Sequence, residues 1–175
     1  TDANSCSATL SATVTSPTQM NLTTTVTNVT CNGASSGAVQ LTVTGGVAPL
    51  SYVWSNGAST QNVTNIAAGN YAVTVTDGSS CNATASATVS QPTAIQVSSS
   101  ATPVSCFGGS NGTVQVTATG GTPGVGNVYQ YAWNTGESTS SLTNKTAGSY
   151  TVSVSDAASC QATASVVIGT PIAIQ

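Results

Sequence analysis

The stretch GNYAVTVTDGSSC, residues 69–81, carries the pattern that decides the fold of this chain. Its apolar residues Tyr71, Val73 and Val75 stand at every second position, which is the period of a β-strand with one buried face. The Asp-Gly pair that follows is typical of a turn, because glycine adopts backbone angles that other residues rarely reach. The stretch therefore predicts a half-buried strand that ends in a tight turn next to Cys81.

The same pattern occurs again further along the chain, as GSYTVSVSDAASC at residues 148–160. The chain also opens on the end of this pattern, TDANSC, at residues 1–6. Aligning the chain with itself makes Pro17, Pro92 and Pro171 equivalent, and the two complete copies are then 75 and 79 residues long. Recurrence of this kind indicates a repeat architecture.

The alignment divides the chain into four parts. Residues 1–17 are predicted to be the C-terminal strand of a preceding repeat, residues 18–92 the first complete repeat, residues 93–171 the second, and residues 172–175 the start of a following one. The four extra residues of the second copy fall in the loop GGTPGVGNVYQY, so the predicted strands on either side keep their order. The sequence thus predicts an excerpt from a tandem array.

Other short alternating stretches accompany the opening one in each copy. Val39, Leu41 and Val43 predict a second strand, and the equivalent stretches YVW and YAW predict a third. Short strands separated by turn signals are typical of an antiparallel β-sandwich. We therefore predict an all-β chain of two sandwiches, each with aromatic residues in its core. The expected core aromatics are Trp54, Trp133, Tyr71 and Tyr150.

The composition argues against several classes of function. Charged residues make up only 3% of the chain and the net charge is −3, so nucleic-acid binding is not expected. The chain lacks histidine, so the Ser–His and Cys–His arrangements of nucleophilic catalysis are unavailable, and the cysteines do not resemble a zinc site. No apolar run reaches the roughly 18 residues of a membrane span. We expect no enzyme and no bound metal or cofactor.

The five cysteines follow the repeat. In each copy one cysteine follows the first predicted strand and the other begins the last, which predicts the disulfides Cys31–Cys81 and Cys106–Cys160. One disulfide per repeat implies an oxidising, extracytoplasmic compartment. Cys6 is left over, either unpaired or bonded to another module. A bond from Cys31 to Cys106 or Cys160 would contradict the expectation of two separately closed modules, and with it the mechanical role argued from them.

The order CNG, GAVQLTVTGG, YVWSNG and GNYAVTVTD resembles the SprB repeat, a module found in tandem in the surface adhesins of gliding bacteria and in related extracellular proteins. The resemblance covers essentially the whole chain. It implies an Ig-like form of the sandwich, export through the type IX pathway, and a place in a stalk or adhesive fibre on the cell surface. The sequence departs from the pattern at Lys145, which stands where the first copy has the apolar Ile66.

Three charged positions have both a structural and a functional interpretation. Asp77 and Asp156 each follow a strand, where a carboxylate either caps its own turn through backbone N–H groups or helps to bind calcium. Calcium needs six to eight oxygens and each copy offers one carboxylate here, which favours the cap. Lys145 occupies a core-type position, and Glu137 lies in the same copy. We expect this lysine to extend its charged end to water rather than to form an isopeptide crosslink.

The sequence also predicts modification or lateral packing of the surface. An almost uncharged surface with exposed strand edges lacks the usual protection against self-association. We therefore expect the Ser- and Thr-rich faces to carry O-linked glycans or to pack against neighbouring chains. Six asparagines begin N-x-[ST] sequons and are candidate glycosylation sites: Asn21, Asn28, Asn62, Asn82, Asn111 and Asn144.

These features favour a non-enzymatic, extracellular repeat array that forms part of a surface stalk, adhesin or filament. Its expected partners are neighbouring copies of itself, in head-to-tail or lateral contact, and glycans. The stretch CSATLSATVT, residues 6–15, completes either a preceding module of the same polypeptide, which we favour, or a module of another subunit. The alternative function is a carbohydrate- or ice-binding module, for which outward threonines such as Thr42, Thr44, Thr74 and Thr76 would form the binding surface.

Overall fold

The computed structural model of this protein describes residues 3–5, 9–13, 16 and 18–171. Within these residues the chain forms twelve β-strands and no helix. The strands are β1 (Asn21–Thr27), β2 (Gly37–Thr44), β3 (Ser51–Trp54), β4 (Val63–Ile66), β5 (Gly69–Thr76), β6 (Asn82–Val89), β7 (Gln96–Thr102), β8 (Gly112–Thr119), β9 (Gln130–Trp133), β10 (Ser141–Lys145), β11 (Gly148–Ser155) and β12 (Gln161–Ile168).

The strands form two sandwiches, one in each complete repeat. In the first module, which contains β1 to β6, one sheet has the order β1-β2-β4 and the other has the order β3-β5-β6. The second module, which contains β7 to β12, repeats this arrangement with β7-β8-β10 and β9-β11-β12. Every pairing between these strands is antiparallel. The predicted all-β class of tandem antiparallel sandwiches is confirmed.

Each module has its own hydrophobic core between its two sheets. Val73 and Val75 of the opening stretch are 1% and 0% exposed, whereas the residues that alternate with them face outward. Burial of each such valine contributes about 1.5–3 kcal/mol. The period-two pattern therefore supplies the energy that holds each pair of sheets together.

A bulge bends one edge strand of each module. In β10 the register with β8 shifts between Leu142 and Lys145, and Asn144 has a φ of 55°. Asn65 has the same φ in β4, where the pairing with β2 also shifts. Asparagine is one of the few non-glycine residues that adopt this left-handed conformation at small cost, so the repeated Thr-Asn dipeptide fixes the bend.

The bulge in β10 places Lys145 beside Glu137, and the two side chains form an ion pair. The Lys145 side chain is 22% exposed and the Glu137 side chain 34%. In the first module the same positions hold Ile66 and Ala58, which belong to the core or pack against it. The Lys145 ammonium, and after it the Thr135 hydroxyl, lowers the pKa of Glu137 to about 2. The second module thus replaces an apolar pair by an ion pair.

Lys145→Ile is expected to destabilise the second module, because it leaves the partly buried Glu137 carboxylate without its partner. The double variant Glu137→Ala, Lys145→Ile copies the first module and is expected to recover the loss. The folded-state pKa of Glu137 is lowered, so the ion pair stabilises fully above the ordinary pKa of 4.5 and loses this stability as the pH falls towards 2. Thermal melts at about pH 7 and about pH 2.5 measure both effects. Equal stability of the single and double variants at neutral pH would contradict the prediction.

The predicted disulfides Cys31–Cys81 and Cys106–Cys160 are wrong. The structure bonds Cys31 to Cys160 across the two modules, and Cys81 and Cys106 are free and exposed. The loop of Cys31 is hydrogen-bonded to the segment that follows β6, whereas Cys81 immediately precedes β6. A strand of this length spans roughly 25 Å, but the Cα atoms of a disulfide lie within about 7 Å of each other. The modules keep separate cores, yet the expectation that each is closed by its own disulfide does not hold.

The predictions for a preceding and a following repeat, residues 1–17 and 172–175, stay predictions. Cys6, Pro17, residues 172–175 and part of the stretch 6–15 lie outside the described residues. Residues 9–13 are exposed and belong to no strand. Nowhere in the described ranges is there a helix that is long and apolar enough to cross a membrane.

Candidate functional site at the junction between the modules

The bond between Cys31 and Cys160 closes the junction of the two modules. Its Cα–Cα distance is 5.5 Å, and it joins residues that are 129 positions apart. Cys31 follows β1 at the C-terminal end of the first module, and Cys160 lies in the turn between β11 and β12 at the N-terminal end of the second. The modules are therefore connected twice, by the chain and by the disulfide. We call the two cysteines and their loops, residues 28–36 and 156–161, the clasp.

An aspartate holds the turn that carries Cys160. Asp156 is 5% exposed, and its Oδ1 accepts hydrogen bonds from the N–H groups of Ala158 and Cys160 at 2.9 Å each. Its Oδ2 accepts a hydrogen bond from Thr122 N–H at 2.7 Å. Ser159 completes the turn with a φ of 63°. A buried carboxylate with three backbone donors fixes the turn, so Cys160 is held in one backbone geometry.

The N-terminal end of the second module leaves no room for a side chain at Gly121. A Cβ atom there would lie 2.5 Å from Asp156 Oδ2 and 2.7 Å from Ile95 Cγ1, and the φ of Gly121 is 63°. Both the short distances and the left-handed conformation require glycine. The repeated Gly-Gly motif thus allows the loop between β8 and β9 to pack against the aspartate that supports Cys160.

Polar side chains hold the other half of the clasp against the linker. Asn32 Nδ2 donates a hydrogen bond to Pro92 O at 2.9 Å, and Gln91 Oε1 accepts one from Gly33 N–H at 2.7 Å. The loop next to Cys31 is therefore fixed to the segment that leads into the second module. These bonds hold the Cys31 loop at the junction with the second module.

The first module carries the same aspartate turn at its own N-terminal end. Asp77 is 6% exposed, and its Oδ1 accepts hydrogen bonds from the N–H groups of Ser79 and Cys81 at 2.9 and 2.8 Å. Its Oδ2 accepts one from Val47 N–H at 3.0 Å. These donors, Cys81 first, lower the pKa of Asp77. Both aspartates cap their turns, and no group of three or more His, Cys, Asp or Glu residues in the described chain could hold a metal ion.

Asp156→Asn is expected to destabilise the second module by about 1–3 kcal/mol, because the amide Nδ2 cannot accept the bond from a buried backbone N–H. Urea unfolding followed by tryptophan fluorescence measures the change. Ser138→Ala, at an exposed position of the same module, is the control and should stay within about 0.5 kcal/mol of the natural chain. An Asn variant as stable as this control would show that the aspartate cap is dispensable.

The aromatic residues predicted for the core lie between the sheets. Trp54, Trp133 and Tyr150 are buried, and Tyr71 is partly buried against the same core as Trp54. Each tryptophan Nε1–H donates to a backbone carbonyl six residues ahead, at 2.8 Å in the first module and 2.9 Å in the second. The hydrogen-bond donor of each buried tryptophan is therefore paired.

The tyrosines have a second role that the sequence analysis missed. The hydroxyls of Tyr71 and Tyr150 donate to the backbone carbonyls of Ala67 and Thr146, four residues earlier, at 2.9 Å in each case. A tyrosine near the start of a strand that bonds back to the preceding corner is the tyrosine corner of Ig-type sandwiches. The signal for it was available in the G-x-Y pattern that opens both β5 and β11.

The six candidate glycosylation asparagines are all exposed. Asn28, Asn62 and Asn82 accept hydrogen bonds through Oδ1, which leaves Nδ2, the atom that a glycan modifies, outside those bonds. Asn111 differs, because its Nδ2 donates to Ser105 Oγ at 2.9 Å. Glycosylation at these positions stays a prediction, and Asn111 would have to give up a hydrogen bond to accept a glycan.

The family comparison agrees with the motifs. The sequence profile of the SprB repeat matches residues 23–59 and 98–138. Over these two segments the chain is similar to the SprB repeat. Each matched SprB segment begins in the first strand of a module and includes its first cysteine, Cys31 or Cys106. The second cysteine of each module, Cys81 or Cys160, lies outside the matched SprB segments. None of the curated proteins matches this sequence.

Similar solved structures belong to Ig-type molecules. A Dscam structure concerned with isoform specificity is 12% identical, has a TM-score of 0.34, and covers 89% of this chain and 47% of that one. The N-terminal eight Ig domains of DSCAM isoform 1.30.30 are 12% identical with a TM-score of 0.36, at 86% and 25% coverage. The IgVJ-C2 molecule of amphioxus is 15% identical with a TM-score of 0.33, at 86% and 96% coverage. The chain spans less than half of each of the first two, and the likeness concerns the Ig-like fold alone.

Proposed function

We propose that this chain is a non-enzymatic, structural segment of an extracellular stalk, adhesin or filament in which SprB modules are joined end to end. The observation that carries the proposal is the Cys31–Cys160 bond, because it lies between two modules instead of inside one. A structural disulfide also supports an oxidising location outside the cytoplasm. The family resemblance, which implies surface export, agrees with this location.

The position of the disulfide determines how the chain responds to tension. While the bond is intact, the covalent path between the two termini passes from Cys31 directly to Cys160, so residues 32–159 cannot be drawn out into an extended chain. This protected segment contains β2 to β11. It would span roughly 450 Å if it were fully extended. The disulfide therefore keeps the length of both modules nearly fixed under load, which suits a stalk.

The aromatic residues support a structural role over carbohydrate binding. Sugar-binding surfaces stack sugar rings on exposed aromatic side chains. All eight aromatic residues lie in the described part of the chain, and of these only Phe107 is exposed, at 69%. Trp54 and Trp133, the strongest candidates for stacking, are core residues. No flat aromatic platform is therefore available on either module.

The threonine rows do not support ice binding over the structural role. Thr23 lies opposite Thr42 across β1 and β2, and both side chains are exposed. At the equivalent position of the second module, Ser98 lies opposite Thr117. A surface that matches a crystal lattice must repeat its methyl and hydroxyl groups regularly. That regularity is interrupted between one module and the next.

Single-molecule stretching of the whole chain tests the proposed mechanical role. Without reductant we expect extension only from residues outside the closed segment, and with a phosphine reductant we expect roughly 450 Å of additional length. The double variant Cys31→Ser, Cys160→Ser should show the long extension under both conditions. A natural chain that releases the full length without reductant would contradict the proposal. Antibody labelling of intact, unpermeabilised cells tests the surface location separately.

A further inference from the structure

The loop of Cys106, at the C-terminal end of the second module, has the geometry of the Cys31 loop. Cys106 O accepts a hydrogen bond from the N–H group three residues ahead at 2.9 Å, and Cys31 O does the same at 3.1 Å. Gly33 and Gly108, two residues after each cysteine, have φ values of 75° and 77°. Cys106 is exposed and unbonded. This end of the second module therefore presents one half of a clasp, already folded.

The turn of Cys81, at the N-terminal end of the first module, has the geometry of the Cys160 turn. Asp77 and Asp156 support the two turns through the same three backbone hydrogen bonds. The residue before each cysteine is a serine with a φ of 64° or 63°. Cys81 is exposed and unbonded. This end of the first module presents the complementary half of a clasp.

The surface beside Cys81 on the first module also corresponds to the surface beside Cys160 on the second module, which forms one side of the junction. A cleft of about 400 Å³ lies at that junction, where residues 93–95 line it together with Cys160. A groove of about 510 Å³ lies beside Cys81, and the equivalent residues 18–20 line it. The same part of the module therefore forms a concave surface at both positions. At the junction this surface faces the C-terminal end of another module.

Phe107 indicates what covers the C-terminal end of the second module. Its side chain is 69% exposed and it adjoins Cys106. Its counterpart in the first module, Asn32, lines the junction cleft together with Ile95. Met20 occupies in the first module the position that Ile95 has in the second. If the N-terminal end of such a module lay over Cys106 in the same way, Met20 would cover Phe107. Contact between a thioether and an aromatic ring is favourable.

We propose that Cys106 and Cys81 are complementary halves of a further clasp of this kind: Cys106 forms a disulfide with a Cys81-type cysteine of the module placed after it, and a second copy of this chain supplies such a module in the test. The inference rests on the end-to-end arrangement proposed above and names the partner and the bond. It makes the contact directional, because a C-terminal half meets an N-terminal half. Repetition of the bond joins copies into a line.

A disulfide oxidant such as oxidised glutathione completes the chemistry. The Cys106 thiolate attacks one sulfur of the oxidant, which forms a mixed disulfide and releases one glutathione thiolate. The Cys81 thiolate of the second copy then attacks the Cys106 sulfur and releases the second glutathione. Two protein thiols are oxidised and one glutathione disulfide is reduced to two thiols, which take up the two protons.

Complementary single-cysteine variants test the proposal. All proteins carry Cys6→Ser, so that Cys81 and Cys106 are the thiols under comparison. The Cys81→Ser variant keeps only the C-terminal half of a clasp, which carries Cys106. The Cys106→Ser variant keeps only the N-terminal half, which carries Cys81. Each is incubated alone, and the two are mixed, in a glutathione redox buffer. Non-reducing electrophoresis measures dimers, and peptide mass spectrometry identifies the bond and verifies that Cys31–Cys160 is intact.

We expect the mixture to yield at least tenfold more dimer than either variant alone, joined by Cys106–Cys81. Phe107→Asn introduces the residue that the first module has at this position. It should reduce this yield, because it removes the aromatic ring from the contact. If each variant alone formed as much dimer as the mixture, the result would show only that both thiols are exposed. That outcome would overturn the proposal. Absence of dimer while both thiols still react with a maleimide would overturn it as well. Neither outcome affects the stretching result, which depends on Cys31 and Cys160.

Discussion

Cys160→Ser is expected to lower the stability of the joined modules by about 4–5 kcal/mol on the chain-entropy estimate. The reason is the length of the segment that the bond closes, since Cys31 and Cys160 are 129 positions apart. Without the bond, an unfolded module gains the conformational freedom that the closed loop denies it. Differential scanning calorimetry of the oxidised natural chain and the variant measures the change in each module's transition.

The other three cysteine variants separate the bond from the local effect of each substitution. Cys31→Ser should cost as much as Cys160→Ser, and the double variant should cost no more than either, because all three remove one bond. Cys81→Ser makes the same change in the equivalent turn of the first module, where the thiol is free. It should stay within about 0.5 kcal/mol of the natural chain. Equal losses for Cys81→Ser and Cys160→Ser would mean that the turn, and not the disulfide, matters.

The sandwich could be predicted because its signal is local. Val39, Leu41 and Val43 alternate with other residues in the sequence, and the burial of β2 follows that alternation. The tryptophans end their strands in both copies and are buried in both. When apolar residues occupy every second position of a strand, only one face of that strand is apolar. Strand positions and core residues therefore follow from neighbouring residues alone.

The disulfide could not be predicted from spacing, because repetition makes two pairings look alike. Cys31 can be matched with the second cysteine of its own copy or with that of the next copy, and both choices obey the same pattern. Strand direction distinguishes them. In modules joined end to end, the first and last strands both run from the entry end to the exit end. A cysteine after the first strand, such as Cys31, then lies at the exit end, and a cysteine before the last strand, such as Cys81, lies at the entry end.

The ion pair shows a second limit of the sequence pattern. Lys145 stands at a position that the first copy fills with Ile66, and the sequence alone placed it at a core-type site with Glu137 somewhere in the same module. The structure makes them neighbours, because the bulge at Asn144 turns the end of β10 towards the loop after β9. Such a bend depends on one left-handed residue. The alternation of apolar residues contains no information about it.

Trp133→Ala is expected to destabilise the second module by about 3–5 kcal/mol, the usual cost of removing a large buried aromatic side chain. Trp133 is 5% exposed and lies in β9 opposite Val152, at the centre of the core. Its removal leaves a cavity between the two sheets that rigid strands cannot close. Urea unfolding measures the loss, and the fluorescence of Trp54 reports whether the first module stays folded.

Two further aromatic variants divide this loss into its parts. Trp133→Phe keeps a ring in the core but removes the donor to Thr139 O, and should cost about 1–3 kcal/mol for the carbonyl that is left unpaired. Phe107→Ala removes an exposed ring from the same module and should stay within about 0.5 kcal/mol. If Trp133 instead formed a binding surface, its alanine variant would keep the stability of the module and lose a ligand. Unchanged stability in Trp133→Ala would therefore argue against both the predicted core and the structural role that depends on it.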